Sequence, residues 1–527
     1  MEQRQATLDR QSFPLEALLP LDRRQALALG QDLPEWGQGT VLFADVSGFT
    51  PLMERLTDAL GPQRGAEELT RLLNGLFASL IEAVHGHGGQ VIAFGGDALT
   101  CWFPEGAQGD SPLRGAPCAL ALLERVEAFQ RVESASGPVS LSIHMGLASG
   151  PVRRLCAGRA PYGRHEVLAG ATVERMGRAA SRAGAGQAVL DAATAARLPP
   201  NASHPWGEFA LLQPGSLPPV SAVPLSSTVS LPAPLLRRWL AGPLYRRLRS
   251  GGRFAAELRR VTSLFIRFAG LDYGDPQAGK CLQRYVSLAQ RHLAAYGGYL
   301  AAVTCGDKGN LLYALFGAPL AHEDDPERAL GFAWGFREAV RDLPFIREQR
   351  IGISLGKVYA GILGSAERCT YTVLGDEINV SARLMEEAAP GEILVSRAVE
   401  RAVKRFRFRS LGAVQVKGHA EAIPVFVPLS PERKREEEEE VLVGREKEKE
   451  GLAALVERVA SGRGHLLLVT GEAGVGKSAL VRFLLREARG RAWPAYVGAC
   501  LSYGQHTPYL PWRMVLEQAY GLTPEMG

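Results

Sequence analysis

Two aspartates and one glycine-rich turn are the residues of this chain best placed to do chemistry. Asp45 follows the apolar run Val41 to Ala44 and opens the small-residue turn Val46 to Thr50. Asp97 follows a second apolar run, Val91 to Phe94, after Gly95 and Gly96. Each carboxylate falls at a strand end, where its side chain leaves the core. Either one alone reads as a turn or helix-cap residue. Two on neighbouring strands can hold a pair of Mg²⁺ ions, because Mg²⁺ is bound by one or two carboxylates with substrate phosphates completing its shell. A second signal lies far downstream. His465 to Thr470 reads as a buried strand, and Gly471, Gly474, Gly476, Lys477 and Ser478 follow in GxxxxGK(S/T) spacing before an apolar helix from Ala479 to Leu485. That spacing in strand–loop–helix context is specific for a phosphate loop. Backbone amides and the helix N-terminus cradle nucleotide phosphates, Lys477 reaches the terminal phosphates, and Ser478 ligates Mg²⁺.

The whole chain bounds what can position these groups. Its 527 residues exceed one hydrophobic core, and about three domains are expected. A 46% hydrophobic and 22% charged composition is that of a soluble globular protein. No apolar run approaches the roughly 20 residues of a membrane span, and the polar N-terminus does not read as a signal peptide. Seven scattered cysteines without CxxC spacing suit a reducing compartment and argue against zinc. These features together predict a cytoplasmic protein. A net charge of +5 is too dilute to call for nucleic acid.

Along the chain, residues 1–35 read as a helical lead-in and 36–195 as a first α/β domain. Glu67 to His85 has helical apolar spacing, and His85 and His87 beside Gly86 read as loop residues. Residues 196–254 form a Pro-rich linker with some β content. Residues 255–428 repeat the first domain. Val261 to Gly270 matches the strand and turn at Asp45, Ala314 to Gly317 matches Cys101 to Pro104, and Gly352 and Gly356 fall on Gly146 and Gly150. The copies are chemically unequal: Arg267 stands where Asp45 stands, and Asn310 where Asp97 stands. One working site at the interface of a pseudo-symmetric pair is expected. Arg405, Arg407 and Arg409 alternate with phenylalanines, as on the exposed face of a strand. A charged linker, 429–440, precedes a P-loop unit at 441–527.

With these motifs in place, the repeats resemble class III nucleotidyl cyclase domains. The order cyclase, cyclase, P-loop ATPase resembles the soluble adenylyl cyclase group. The resemblance implies an α/β (α+β) fold: two ferredoxin-like βαββαβ domains packed head to tail, followed by the start of a P-loop NTPase. It implies that Asp45, Asp97 and the Val46 backbone bind two Mg²⁺ (or Mn²⁺), and that Ser47, Gly48, Phe49 and Thr50 contact the triphosphate. Lys308 and Thr372 would read adenine, Asn379 would orient the ribose, and Arg383 would meet the transition state. Asn379 and Arg383 are i and i+4 and share one helix face. The implied activity is conversion of ATP to 3′,5′-cyclic AMP and pyrophosphate, with ATP also at the phosphate loop and an ATPase module regulating output. In the mirror-image site Glu174 replaces the asparagine, so catalysis is not expected there. Bicarbonate-responsive relatives carry a lysine where this chain has Ala93, so no bicarbonate response is expected. His144 falls on a basic phosphate-contact position, or is a packed strand residue. The alternatives are a catalytically silent pair serving as a nucleotide sensor or scaffold, and a guanylate cyclase.

Overall fold

The computed structural model describes residues 14–106, 110–130, 133–134, 137–138, 141–214, 217, 229–249, 257–306, 309–414, 422–431, 445–470, 477–498 and 510–521. The chain divides into two compact units, at Pro431/Glu432.

The first unit opens with a 3₁₀ turn, Leu15–Leu18, and helix α1, Leu21–Ala28. The first copy then runs through β1 (Trp36–Ser47), α2 (Phe49–Leu60), α3 (Pro62–Gly86), β2 (Gln90–Gly95), β3 (Ala98–Pro104), α4 (Pro112–Phe129), β4 (Ser142–Gly158), β5 (Arg164–Ala169), α5 (Ala171–Arg182), β6 (Ala188–Asp191), β7 (Ser203–Trp206) and β8 (Phe209–Leu212). Helices α6 (Ala233–Trp239) and α7 (Gly242–Arg249) connect it to the second copy. That copy contains β9 (Glu257–Ala269), α8 (Ala278–Tyr296), β10 (Tyr299–Gly306), β11 (Gly309–Phe316), α9 (Asp325–Val340), β12 (Glu348–Gly364), β13 (Cys369–Leu374), α10 (Asp376–Glu387), β14 (Ile393–Ser396), β15 (Phe406–Val414) and β16 (Ile423–Pro431).

The two sheets have the same strand order: β2-β3-β1-β4-β6-β8-β7 with β5 on β4, and β10-β11-β9-β12-β14-β16-β15 with β13 on β12. Each contains the expected βαββαβ core. Leu69, Leu72, Leu73, Leu76, Leu80 and Val84 along α3 are all at most 1% exposed. At about 1.5–3 kcal/mol for each buried aliphatic side chain, this stripe fastens α3 to its sheet. Register fixes the equivalence of the copies, because Gly146 lies opposite Phe43 and Gly352 opposite Phe265. The equivalence carries Arg267 onto Asp45. Pairing of Asp45 with Ala98 and of Arg267 with Leu311 likewise carries Asn310 onto Asp97.

The copies pack head to tail, α3 against β12 and α8 against β4. Asn74 on α3 accepts the Gly364 amide at 3.0 Å. In the reciprocal contact, Gln290 on α8 accepts from the Arg159 amide at 3.0 Å and donates to the Gly163 carbonyl at 2.7 Å. Each copy also sends a buried arginine into the other. Arg153 donates to the carbonyls of Tyr273, Asp275 and Pro276. Arg368 donates to Val91 and Ile92 of the first copy, each at 2.9 Å, and to Ala17, Leu18 and Cys369. Burial lowers its pKa to about 10, although all its donor nitrogens find carbonyls.

Three local readings change. Residues 203–212 lie within the span read as linker, yet they supply β7 and β8 to the first sheet. His85 is inside α3 rather than in a loop. It is 3% exposed, and its Nδ1 lies 3.4 Å from Glu367 of the second copy. The run His465 to Thr470 is not a strand: Leu466 is 98% and Leu468 82% exposed. A buried strand needs ladder partners on both sides, and the described part of the second unit consists of helices α11 (Glu446–Ala460), α12 (Lys477–Gly490) and α13 (Leu510–Tyr520).

Candidate active site

Asp45 lies near the end of β1, paired with Ala98 on one side and His144 on the other. Asp97 sits in the β2–β3 turn, and its carbonyl accepts the Val46 amide at 3.4 Å. The two carboxylate-bearing residues are thus brought to one corner of the sheet. Val46 is fully buried and anchors that corner. The chain turns at Gly48, whose φ of 105° is open to glycine and strained for other residues, and enters α2. Ser47 hydrogen-bonds Ser142 at 2.8 Å, and Phe49 is buried 6.2 Å from Phe77, so the turn is held at both ends. The side chain of Thr50 lies outside the described residues.

His144 is the neighbour whose importance sequence alone left open. Its Nε2 is 3.5 Å from Asp45 Oδ2, with the side chains 28% and 31% exposed respectively. It is neither a core residue nor remote from the carboxylate. Asp97 also faces the second copy. Burial pushes the Tyr313 hydroxyl far above its ordinary range, and the Asp97 carboxylate adds to that shift.

From the second copy, Thr372 is 5% exposed on β13, opposite Gly361. Leu374, two residues on, belongs to the same buried cluster as Phe49 and Phe77 of the first copy. The β13–α10 junction is therefore embedded in the partner domain. Helix α10 buries Ile378, Val380, Ser381, Leu384 and Met385. Asn379 is exposed and Arg383 partly exposed on the remaining face. Gly352 allows the helix to sit this close, since an added Cβ would be 2.2 Å from the Ser381 carbonyl. Arg383 donates to Glu386 at 2.6 Å, which holds the guanidinium at rest. Lys308 lies outside the described residues, as do Gly471, Gly474 and Gly476. Lys477 begins α12, and the side chain of Ser478 is outside the described residues.

The donor set fits Mg²⁺. Asp45 and Asp97 offer hard carboxylate oxygens at a partly open corner. Among the described residues, no group of three or more His, Cys, Asp or Glu side chains could hold a metal ion. The remaining positions would fall to backbone oxygen, water and phosphate, which is the usual habit of Mg²⁺ at nucleotide sites.

The mirror-image corner differs in every part. The second copy has no counterpart of α2, since β9 ends at Ala269 and α8 begins at Ala278. Tyr273 of the intervening loop donates to the Asn310 amide oxygen at 2.9 Å and lies 3.3 Å from Cys305. Register puts Val167 in the place of Thr372, and Glu174 in that of Asn379.

Comparisons with known proteins match this architecture. The family described as "Adenylate and Guanylate cyclase catalytic domain" matches residues 33–207 and 308–428, and "AAA ATPase domain" matches 441–521. Adenylate cyclase type 10 of Oryctolagus cuniculus is 24% identical over 93% of this chain and 33% of its own length. The Homo sapiens protein of the same name is 24% identical over 87% and 31%. The chain thus spans about a third of the length of the curated relatives it matches. Among solved structures, a class III adenylyl cyclase-like ATP-binding protein from Pseudomonas aeruginosa is 13% identical, with a TM-score of 0.48 over 70% of this chain and 85% of its own.

Proposed function

Since the chain belongs to the adenylate and guanylate cyclase catalytic domain family, we propose that it converts ATP to 3′,5′-cyclic AMP and pyrophosphate at a single site between its two copies. The observation that carries this reading is the complementary asymmetry of the copies. The first holds Asp45 and Asp97 at one corner, and the second presents Asn379 and Arg383 on a helix whose junction is buried in the first.

In this reading Asp45, Asp97 and the Val46 backbone would hold two Mg²⁺ ions, and Mn²⁺ would suit the same oxygens. Bound there, the metal supplies positive charge to the triphosphate and lowers the proton affinity of the ribose 3′-oxygen. Amides of Ser47, Gly48, Phe49 and Thr50 at the start of α2 face the phosphates. Asn379 orients the ribose so that its 3′-oxygen is in line with the α-phosphorus. A bond forms between those atoms, the bond to the β-phosphate oxygen breaks, pyrophosphate leaves and the 3′-hydroxyl proton passes to solvent. Arg383 exchanges Glu386 for the α-phosphoryl oxygens, where one preorganised donor is commonly worth ~2.7–4 kcal/mol. Positioning dominates, as in other phosphoryl transfers.

Adenine is the favoured base because the Thr372 hydroxyl can accept from an exocyclic amine while Lys308 donates to a ring nitrogen. The ATPase unit, with Lys477 and Ser478 at its phosphate loop, is assigned a regulatory role within intracellular signalling. No helix among the described residues is long and apolar enough to cross a membrane. The test is to incubate the purified chain with Mg²⁺ and either ATP or GTP and identify the product by chromatography. Cyclic AMP in clear excess over cyclic GMP is expected. The reverse preference would make it a guanylate cyclase, and no product from folded protein would favour the silent sensor.

A further inference from the structure

In the first copy, the residue directly across β1 and β4 from Asp45 is His144. In the second, Arg267 lies directly across β9 and β12 from Arg350. Directly opposed residues have Cβ atoms about 4.5–5.5 Å apart, and like charges there repel. Arg350 has one carboxylate partner, Glu348. Arg267 makes no hydrogen bond or ion pair to any described residue. Arg347 stands at the same end of β12, its Cγ against Gly270. Of the described carboxylates in the loop after β9, Asp272 accepts the Gly274 amide at 2.9 Å and Asp275 the Gln277 amide at 2.8 Å. No counterpart of α2 follows β9. The family match also omits 208–307, which includes β9 and Arg267.

We propose that this charge-inverted corner is a second ligand site, which binds a compact polyphosphate anion without a metal. Guanidinium replaces the carboxylate-plus-cation arrangement of the first corner, so the positive charge that phosphate oxygens require is built into the protein. The planar donors of Arg267 and Arg350 suit bidentate contact with such oxygens. The nucleoside end is not recognised. Val167 stands in the place of Thr372, and the Glu174 carboxylate, which adds to the upward shift that burial imposes on the Tyr273 hydroxyl, stands in that of Asn379. Inorganic pyrophosphate or triphosphate fits this description better than a nucleotide does. The phosphate assignment rests on strand register and charge, independently of the cyclase reading; the exclusion of the nucleoside rests on that reading.

The test is equilibrium dialysis of the full chain against radiolabelled pyrophosphate in EDTA, with Lys477→Ala present to silence the phosphate loop. One equivalent should bind. Arg267→Gln and Arg350→Gln should each weaken binding at least tenfold, Arg267→Lys should restore part of it, and unchanged thermal melting would show that the variants fold. ATP in EDTA should bind no more tightly than inorganic triphosphate. Absence of metal-free binding, binding undiminished by Arg267→Gln, or binding that appears only with Mg²⁺ would overturn the proposal. Tighter binding of ATP than of triphosphate would overturn the claim that the nucleoside is not read.

Discussion

The two cyclase copies share strand order, register and the reciprocal packing of one long helix on the other's long strand. They differ at the corner where β1 and β9 end. One corner has Asp45, Asp97, His144 and a helix that begins directly after β1; the other has Arg267, Asn310, Arg350 and a loop in which Tyr273 bonds Asn310. Framework and chemistry have therefore separated. The core tolerates only residues that fit its packing, whereas a strand end can exchange carboxylate for guanidinium without disturbing a ladder. The difference also assigns work: the copy that lost its carboxylates kept the helix with Asn379 and Arg383, and the copy that kept them has Glu174 on the equivalent helix.

After loss of the metal-binding carboxylate itself, the largest effect that could break this division is at Arg383. Arg383→Ala should lower kcat by on the order of 10²–10³ with little change in KM, because the group acts on charge that develops in the transition state. A KM-dominated loss would instead make it a ground-state contact. Next is the buried cation that ties the copies together. Arg368→Ala removes five hydrogen bonds to carbonyls contributed by both copies and by the turn at Leu15–Leu18. The expected cost is at least about 2 kcal/mol, read as a lower urea midpoint of the first unit. An unchanged midpoint would show that the pairing does not depend on this side chain.

A smaller change should sharpen the comparison at the base position. Thr372→Val gives the second copy the residue register assigns to the first, and the preference for ATP over GTP should fall roughly 2–10-fold, one hydrogen bond's worth. An unaltered ratio would remove Thr372 from base recognition. The smallest effect is acid sensitivity of the interface. A hydrogen bond from His85 holds Glu367 below the ordinary carboxylate pKa of 4.5. Its contribution to stability is therefore present above 4.5 and is lost as the pH falls through its lower folded value. Melting temperatures between pH 5 and pH 3 should converge for the wild type and Glu367→Gln; parallel curves would contradict this.

The repeat and the carboxylate-bearing strand ends were legible in the sequence because apolar runs, glycines and aspartates are local signals, whereas the βαββαβ core of each sheet followed from the resemblance to class III cyclases. The Gly146/Gly352 alignment carried the copies into register without any structure. Other features depend on contacts distant in sequence. His85 looked like a loop residue because Gly86 follows it, yet its environment is set by Glu367 of the other copy. His144 was ambiguous because only the β1–β4 register places it beside Asp45. Strands β7 and β8 were obscured by prolines in and around them, which edge positions accommodate. The run His465 to Thr470 has a strand's composition, but composition cannot supply the neighbouring strands that would bury it.

The most direct test of a single metal-dependent site between unlike copies is cyclic AMP formation from ATP and Mg²⁺ by the intact chain and by Asp45→Ala. The account predicts steady product from the first and none above background from the second, with both proteins melting alike. Comparable product from Asp45→Ala would show that catalysis does not depend on the first copy's carboxylate and would contradict the division of labour set out above.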